Sequence, residues 1–436
     1  MNVIPMERDK FGALPSIEKV HILVTCFIMS WFNNGVVAQV LGVRAMILFG
    51  LFAVWLGLAV IFEKYFIWTF IKKSRWLLCF SAIVFISSVA LPEIWNSQTY
   101  NALYLPMIYA LGVFYQNEKY NVHKKFILKY FLIEGIIISI KSMYILNIDP
   151  SYVRVLATGA EVTDKYTMVI HFSTVYAFVA LSVFLINLKN YYSKDYVFLI
   201  VVFLITAIVA IYMADFATAV FLGAAFVVIS LLAKGQRRFI LSLVILIAAF
   251  FIFKPYVAKL FLWISSQDIS AHLKDRAYSV ASLLSGTNAY RESLDSRISF
   301  VKSALSVFNE SPIMGVYGRT DRMIAYNRML HDHNVWIDML GNFGIVRSLP
   351  FILFVITWYK DTVKDKKQAY RYAVFCACMF FVVCGFFNPI NKQGVQLAVF
   401  AIIPMADVFV STQNVPRESW LKRHKHKIVL LQEEQN

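Results

Sequence analysis

Two arginines, a histidine and an asparagine stand out as chemistry-bearing groups in an otherwise apolar chain. Arg297 leads an amphipathic stretch near 294–309, where Ile298, Val301, Leu305 and Phe308 recur at helical spacing with Asp295 ahead of them as a cap. Lys302 and Ser306 fall on the opposite side, Ser311-Pro312 breaks the pattern, and Gly315 and Gly318 bracket a tight turn. His333 and Asn334 follow where apolar sequence resumes, and Arg154 lies in a separate polar stretch between 146 and 166. Arginine's planar fork grips phosphate oxygens at two points, and an imidazole titrates near neutrality. Two such cations and a base on one side of a membrane suit an anionic, diphosphate-like ligand. Arg319, Arg322 and Arg328 either contact lipid headgroups or guide that diphosphate, and Asp215 is an isolated acid between two apolar runs. Plainer roles stay open: Arg297 as a cap or a snorkelling cation, and His333, beside His331 and Asp332, as a solvated loop residue. No Ser-His-Asp spacing and no acidic metal cluster is visible, so neither a metal nor another cofactor is expected.

The elements that must position these groups are membrane helices. The 436 residues are 59% hydrophobic and only 16% charged, against about 45–50% and about 25% in soluble domains; mean hydropathy is +0.63. In a bilayer, apolar stretches satisfy their backbone groups as helices. Apolar windows place spans near 20–41, 45–62, 76–94, 99–115, 126–146, 166–188, 196–213, 217–233, 239–257, 335–359, 372–387 and 396–410. Of these, 99–115 and 217–233 are short enough to be tilted or re-entrant. The expected fold class is therefore all-α: a polytopic integral membrane protein of about twelve transmembrane helices, with a long, partly helical extracytoplasmic loop between the ninth and tenth. By region, 1–257 holds nine spans, 258–333 the loop with its amphipathic helix near 294–309, 334–410 three more spans, and 411–436 a basic cytoplasmic tail.

The net charge of +16 fits this layout. Alternate connections carry Lys64, Lys72, Lys73 and Arg75, then Lys119, Lys124 and Lys125, then Lys234, Arg237 and Arg238, then Lys360 to Arg371; the intervening short ones hold little beyond Arg44, Arg154, Lys165 and Lys392. That asymmetry puts both termini in the cytoplasm and the long segment outside. No basic stripe is interleaved with surface aromatics outside the spans, so membrane lipid is the expected partner and nucleic acid is not. All five cysteines fall in apolar runs without metal-ligand spacing and read as packing residues. His171, Lys141 and Asp215 are expected to face an aqueous cavity rather than lipid, and Glu134 to pair with Lys141.

The stretch R-I-S-F-V-K-S-A-L-S-V-F-N-E-S-P-I-M-G, Arg297 to Gly315, followed by H-N-V-W-I-D-M-L-G-N-F-G, His333 to Gly344, is similar to the hallmark of the O-antigen polymerase (Wzy) and O-antigen ligase superfamily. The resemblance covers about 50 residues together with the layout of spans, and it looks more like the polymerase branch. It implies a membrane glycosyltransferase in the cytoplasmic (inner) membrane of a bacterium, acting on the outer face. Its substrate would be a polyprenyl (undecaprenyl) diphosphate-linked oligosaccharide, polymerised into a surface polysaccharide such as O-antigen or capsule, with a chain-length regulator as protein partner. Carried over by position, Arg297 would clamp the diphosphate and His333 would deprotonate or orient the acceptor hydroxyl, with Asn334 beside it. Arg154 only loosely matches the family's Arg-x-x-Gly loop, and Met213 to Thr218 reads M-A-D-F-A-T, with Asp215 where the family often has a Ser-Arg pair. Alternatives are a ligase passing the glycan to another acceptor, a lipid-linked oligosaccharide flippase, and a scaffold of an export complex. A long segment with no counterpart in the first half speaks against a transporter built from two similar halves.

Overall fold

A computed structural model describes residues 12, 14–34, 45–90, 97–153, 169–268, 271–286, 292–316, 334–388, 390 and 392–410. Within them the protein is all-helical and has no named strand. In chain order the helices are α1 (Ser16–Asn34), α2 (Ala45–Phe62), α3 (Phe66–Ala90), α4 (Ser97–Tyr115), α5 (Asn121–Ile148), α6 (Phe172–Asn187), α7 (Lys194–Met213) and α8 (Ala217–Ala233). There follow α9 (Gln236–Ile252), α10 (Lys254–Ser266), α11 (Ala271–Ser285), α12 (Glu292–Glu310), α13 (Val335–Val363), α14 (Gln368–Cys384) and α15 (Gln393–Leu397), which continues through a π turn, Ala398–Ile402, to Phe409.

Among the described residues, three helices are long and apolar enough to cross a membrane: Glu118–Ile148, Lys194–Met213 and Val335–Val363. Two bent pairs raise the number to five if each is one span: Met46–Phe62 with Phe66–Ser87, at 119°, and Gln236–Ile252 with Lys254–Ser266, at 90°. Shorter apolar helices accompany them, among them Phe172–Asn187, Ala217–Ala233 and Gln368–Cys384. These helices, with Phe198, Ile205, Ile208 and Tyr212 of α7 turned outward, mark a membrane protein, because in water such a face would be left unpartnered. The last element runs through the middle of the bundle, and every residue from 394 to 406 is buried.

Side-chain bonds sort the helix termini into two ends. At one end Lys119 pairs with Glu63 at 3.2 Å, Lys73 donates to Gln116 Oε1 at 2.7 Å, and Asp407 receives both Lys124 at 2.9 Å and Lys366 at 2.7 Å. At the other end Thr174 Oγ1 donates to Asn33 O at 2.9 Å, Ile170 N to Ser142 Oγ at 2.7 Å and Gly394 N to Ser173 Oγ at 2.9 Å. Helix α5 contributes Lys124 to the first group and Ser142 to the second, so it runs from one end to the other. Phe184 lies against Tyr370 at 5.8 Å, which sets α6 and α14 antiparallel. Lys366 lies past the end of α13; burial alone would lower its pKa, but the Asp407 and Glu118 carboxylates outweigh that and hold it above the ordinary lysine value.

Several expected boundaries shift. Helix α3 starts at Phe66, ten residues before the expected span, so most of the basic connection 64–75 is itself helical. The ninth apolar run stops at Ile252, where Pro255 suits the first turn of a new helix and the chain turns by 90°. The segment 258–333 then holds more than its one expected helix: α11 and most of α10 precede α12. Alternating small and polar residues such as Ala271 to Ser285, A-H-L-K-D-R-A-Y-S-V-A-S-L-L-S, carry too little apolar content to read as helix from hydropathy alone. The first expected span extends to 41, but residues 35–44 lie outside the described residues, as does the tail 411–436.

Candidate functional site

The turn after α12 and a break inside α13 are locked together through their backbones. Gly315 ends the Ser311–Gly315 turn with φ +70°, and its N–H donates to Ser311 O at 2.8 Å. Gly344 interrupts α13 with φ 63° and ψ −176°. At that break Ile345 N donates to Pro312 O at 2.8 Å and Val346 N to Ile313 O at 3.0 Å, while Val316 N takes Gly341 O at 3.3 Å. Helical geometry would have sent the Ile345 N–H to Gly341 O; the turn replaces both partners of that bond. A Cβ on residue 344 would lie 2.5 Å from Gly315 N and from Ile313 O, and one on residue 315 would overlap Asn342 O and Phe343 C. Only glycine combines a left-handed φ with such an approach. The Pro-x-x-Gly and Gly-x-x-Gly halves of the sequence pattern are thus two faces of one clamp, which ties the Arg297-bearing helix to the helix that begins after His333.

Asn334 is fixed on three sides. It caps α13: its Oδ1 accepts Ile337 N at 3.0 Å, its own N–H donates to Asp338 Oδ2 at 3.0 Å, and its Nδ2 donates to Phe386 O at 2.5 Å. Next to it Val335 N donates to Gly385 O at 2.8 Å and Trp336 Nε1 to Val382 O at 2.7 Å. The end of α14 thereby anchors the start of α13. The N–H groups of 334, 335 and 337 are all used internally. The sequence expectation places Asn334 at the substrate; in the structure its side chain is engaged by Ile337 N and the Phe386 carbonyl.

Of the other sequence-derived candidates, Arg297 stands in the second turn of α12. Arg154, Arg319, Arg322, Arg328 and His333 lie outside the described residues. Asp215 is buried in the link between α7 and α8 with φ 59°, a conformation aspartate tolerates better than most residues. Its neighbour Phe216 packs edge-on to Phe172 at 5.5 Å, which brings the link beside His171 at the start of α6. His171 caps that helix, its Nδ1 accepting from Thr174 N at 3.3 Å, and is half-buried.

A further polar group at this end was only partly legible. Glu134 is buried and accepts from Ser30 Oγ and from Asn33 Nδ2, the latter at 3.3 Å; Tyr130 OH and Ser30 Oγ share a bond at 2.6 Å. The expected partner was Lys141 of the same helix, but Ser30 and Asn33 of α1, one helical turn apart, take that place. A carboxylate alone in an apolar run was the available signal; the partner on another helix carried none. Among the described residues no group of three or more His, Cys, Asp or Glu side chains is placed to hold a metal ion. The five cysteines are free, with Cys26, Cys376 and Cys384 buried. Comparison with models of known protein families finds no match, and no curated protein matches the chain either.

Proposed function

We propose that this protein is a membrane glycosyltransferase that polymerises polyprenyl diphosphate-linked oligosaccharide units into a surface polysaccharide, O-antigen or capsule, on the outer face of a bacterial cytoplasmic membrane. The observation that carries the reading is the Gly315–Gly344 backbone clamp. It joins the turn that follows the Arg297 helix to α13, the helix that Asn334 caps, and so supports reading the two halves of the pattern together. The reading places twelve spans across the bilayer with both termini in the cytoplasm, so that Asn33, His171, Asp215 and Asn334 belong to the outer end and Lys124, Lys366 and Asp407 to the inner end. That division follows the positive-inside asymmetry of the connections.

In this mechanism Arg297 pairs with the diphosphate of the lipid carrier that bears the growing glycan. His333 accepts the proton of an acceptor sugar hydroxyl on an incoming lipid-linked unit. The hydroxyl oxygen bonds to the anomeric carbon as its bond to the diphosphate oxygen breaks, in one inverting displacement, and the freed polyprenyl diphosphate leaves with the electron pair. Cationic hydrogen bonds to the developing diphosphate charge supply much of the acceleration, and a placed base contributes about 10²–10⁴. Arg154, Arg319, Arg322 and Arg328 supply further positive charge to the same carrier.

Purified protein in vesicles with synthetic polyprenyl diphosphate repeat units tests this. Oligomers of increasing length are expected with the intact chain and not with His333→Ala or Arg297→Ala. Normal chain growth in both variants would remove the site assignment. Vectorial movement of a labelled lipid-linked sugar without any change in its length would instead make the protein a flippase.

A further inference from the structure

Helix α10 carries an apolar face that no other described residue covers. Its cap residue Phe253 and three of its outward residues, Tyr256, Leu260 and Trp263, follow helical spacing, at 53%, 70%, 52% and 60% exposure. The opposite face is packed: Ala258 is buried, Phe261 meets Phe221 of α8 at 5.9 Å, and α11 lies alongside. The exposed face continues without interruption from the end of α9, where Phe251 and Ile252 are 70% and 72% exposed. Between the two helices the axis turns by 90°.

From this geometry we infer that α10 lies in the plane of the membrane, with its Phe253–Tyr256–Leu260–Trp263 face in the headgroup and upper acyl region of a bilayer that contains anionic lipid. A helix set at a right angle to a span runs along the surface that the span has just reached. Tyrosine and tryptophan place an apolar ring beside a polar tip and concentrate at that depth. Lys254 and Lys259 are exposed along the same helix, with Lys259 Nζ 5.9 Å from the Tyr256 ring centroid, and suit phosphate headgroups beside it. The inference stands apart from the enzymatic reading, since it uses only α8 to α11 and any span that includes α9.

Spin labels test it in the full chain reconstituted in phosphatidylcholine–phosphatidylglycerol vesicles. In a background with the five native cysteines replaced, Tyr256→Cys, Leu260→Cys and Trp263→Cys are labelled one at a time, with Asp268→Cys as the water-exposed reference. Labels at the three face positions are expected to collide several-fold more with oxygen than with a water-soluble nickel complex, at one common depth, while the label at 268 shows the reverse. Water-like collisions at all three, or a depth that increases steadily along the helix, would overturn the inference. Shielding from both relaxants would do so too, because it means that a second protein surface covers the face. A second measurement needs no cysteine replacement. Lys254→Gln with Lys259→Gln should lower the phosphatidylglycerol retained over phosphatidylcholine by the purified protein, about fivefold per lysine at the surface potential of such vesicles. Unchanged retention would remove anionic lipid from the proposal.

Discussion

Replacing Gly344 by alanine tests the clamp on which the functional reading rests. The new Cβ meets two separate penalties. A left-handed φ of 63° costs a residue with a Cβ about 1–2 kcal/mol. The Cβ would also stand 2.5 Å from Gly315 N and Ile313 O, and both are backbone atoms that no rotamer change can withdraw. Ordinary contact needs roughly 3.5–4 Å, so the turn must retreat by roughly 1 Å, and overpacking of this kind costs about a further 1–3 kcal/mol. The sum is about 2–5 kcal/mol of unfolding free energy. A retreat of ~1 Å between elements that hold reacting groups costs about 10²-fold in rate. Gly286 supplies a positive-φ control, because it has φ +73° but nothing within 4 Å of its would-be Cβ. Gly286→Ala should therefore carry the backbone penalty alone, with polymerisation within a few-fold of the parent. The assay is single-turnover chain extension in vesicles, run beside denaturant unfolding in mixed micelles. If Gly344→Ala and Gly286→Ala behave alike in both measurements, the clamp is not what holds the site.

Other residues give shorter tests. Asn334→Ala should cost about 1 kcal/mol for the lost cap and about 1 kcal/mol more for the Phe386 carbonyl it leaves unbonded; Asn334→Asp should recover only the first part in the same unfolding assay. Asp407→Asn leaves the fully buried Lys124 without its counter-charge and should destabilise by about 3–5 kcal/mol, whereas Lys124→Met together with Asp407→Leu should lose much less; equal losses would show that the pair is not electrostatically coupled. Lys366, whose pKa lies above the ordinary lysine value of 10.5, contributes stability that is complete below that value and lost as pH rises through the folded one. The stability difference between the parent and Lys366→Met should accordingly be flat from about pH 7 to 10 and shrink above about 10.5; a difference that already falls near neutrality would contradict the assignment.

Periodicity and hydropathy made most helices legible, because residue type alone decides whether a stretch suits lipid. Lys194–Met213 and Ala217–Ala233 fall almost where the apolar runs place them. Boundaries failed where charge and helix coexist. The start of α3 contains Lys72, Lys73 and Arg75, which hydropathy scores as loop although their long stems leave a helix at the interface undisturbed. Helices α10 and α11 were hidden for the complementary reason, their apolar residues covering each other and lipid rather than a central core. Within the site, the two glycines were legible as a motif but not as a contact. Nothing local in Gly315 announces that Gly344, 29 positions away in sequence, is the atom it must admit. The same limit explains Glu134, whose partners belong to a helix a hundred residues earlier.

That carboxylate, midway along α5, also bears on how the bundle is built. A charge at this depth is costly unless it is satisfied, and Glu134 is satisfied by α1 alone, through Ser30 and Asn33. Asn33 in turn uses its backbone carbonyl to hold Thr174 of α6, whose neighbour Ser173 takes the N–H of Gly394 at the start of the central element. Four elements far apart in sequence are therefore joined by polar bonds at one level of the bundle. Each of those bonds is specific in direction, whereas lipid-like packing between apolar helices slides at little cost. Apolar contacts fix that these helices pack; the Ser30–Glu134–Asn33–Thr174 chain fixes the height at which they do so, and with it the height of the platform that α13 and α14 share with Asn334. Shifting α1 by one turn would strand the Glu134 carboxylate and break the bond from Thr174 Oγ1 to the Asn33 carbonyl. The first helix is in this way a determinant of the height at which α5, α6 and the central element stand relative to one another.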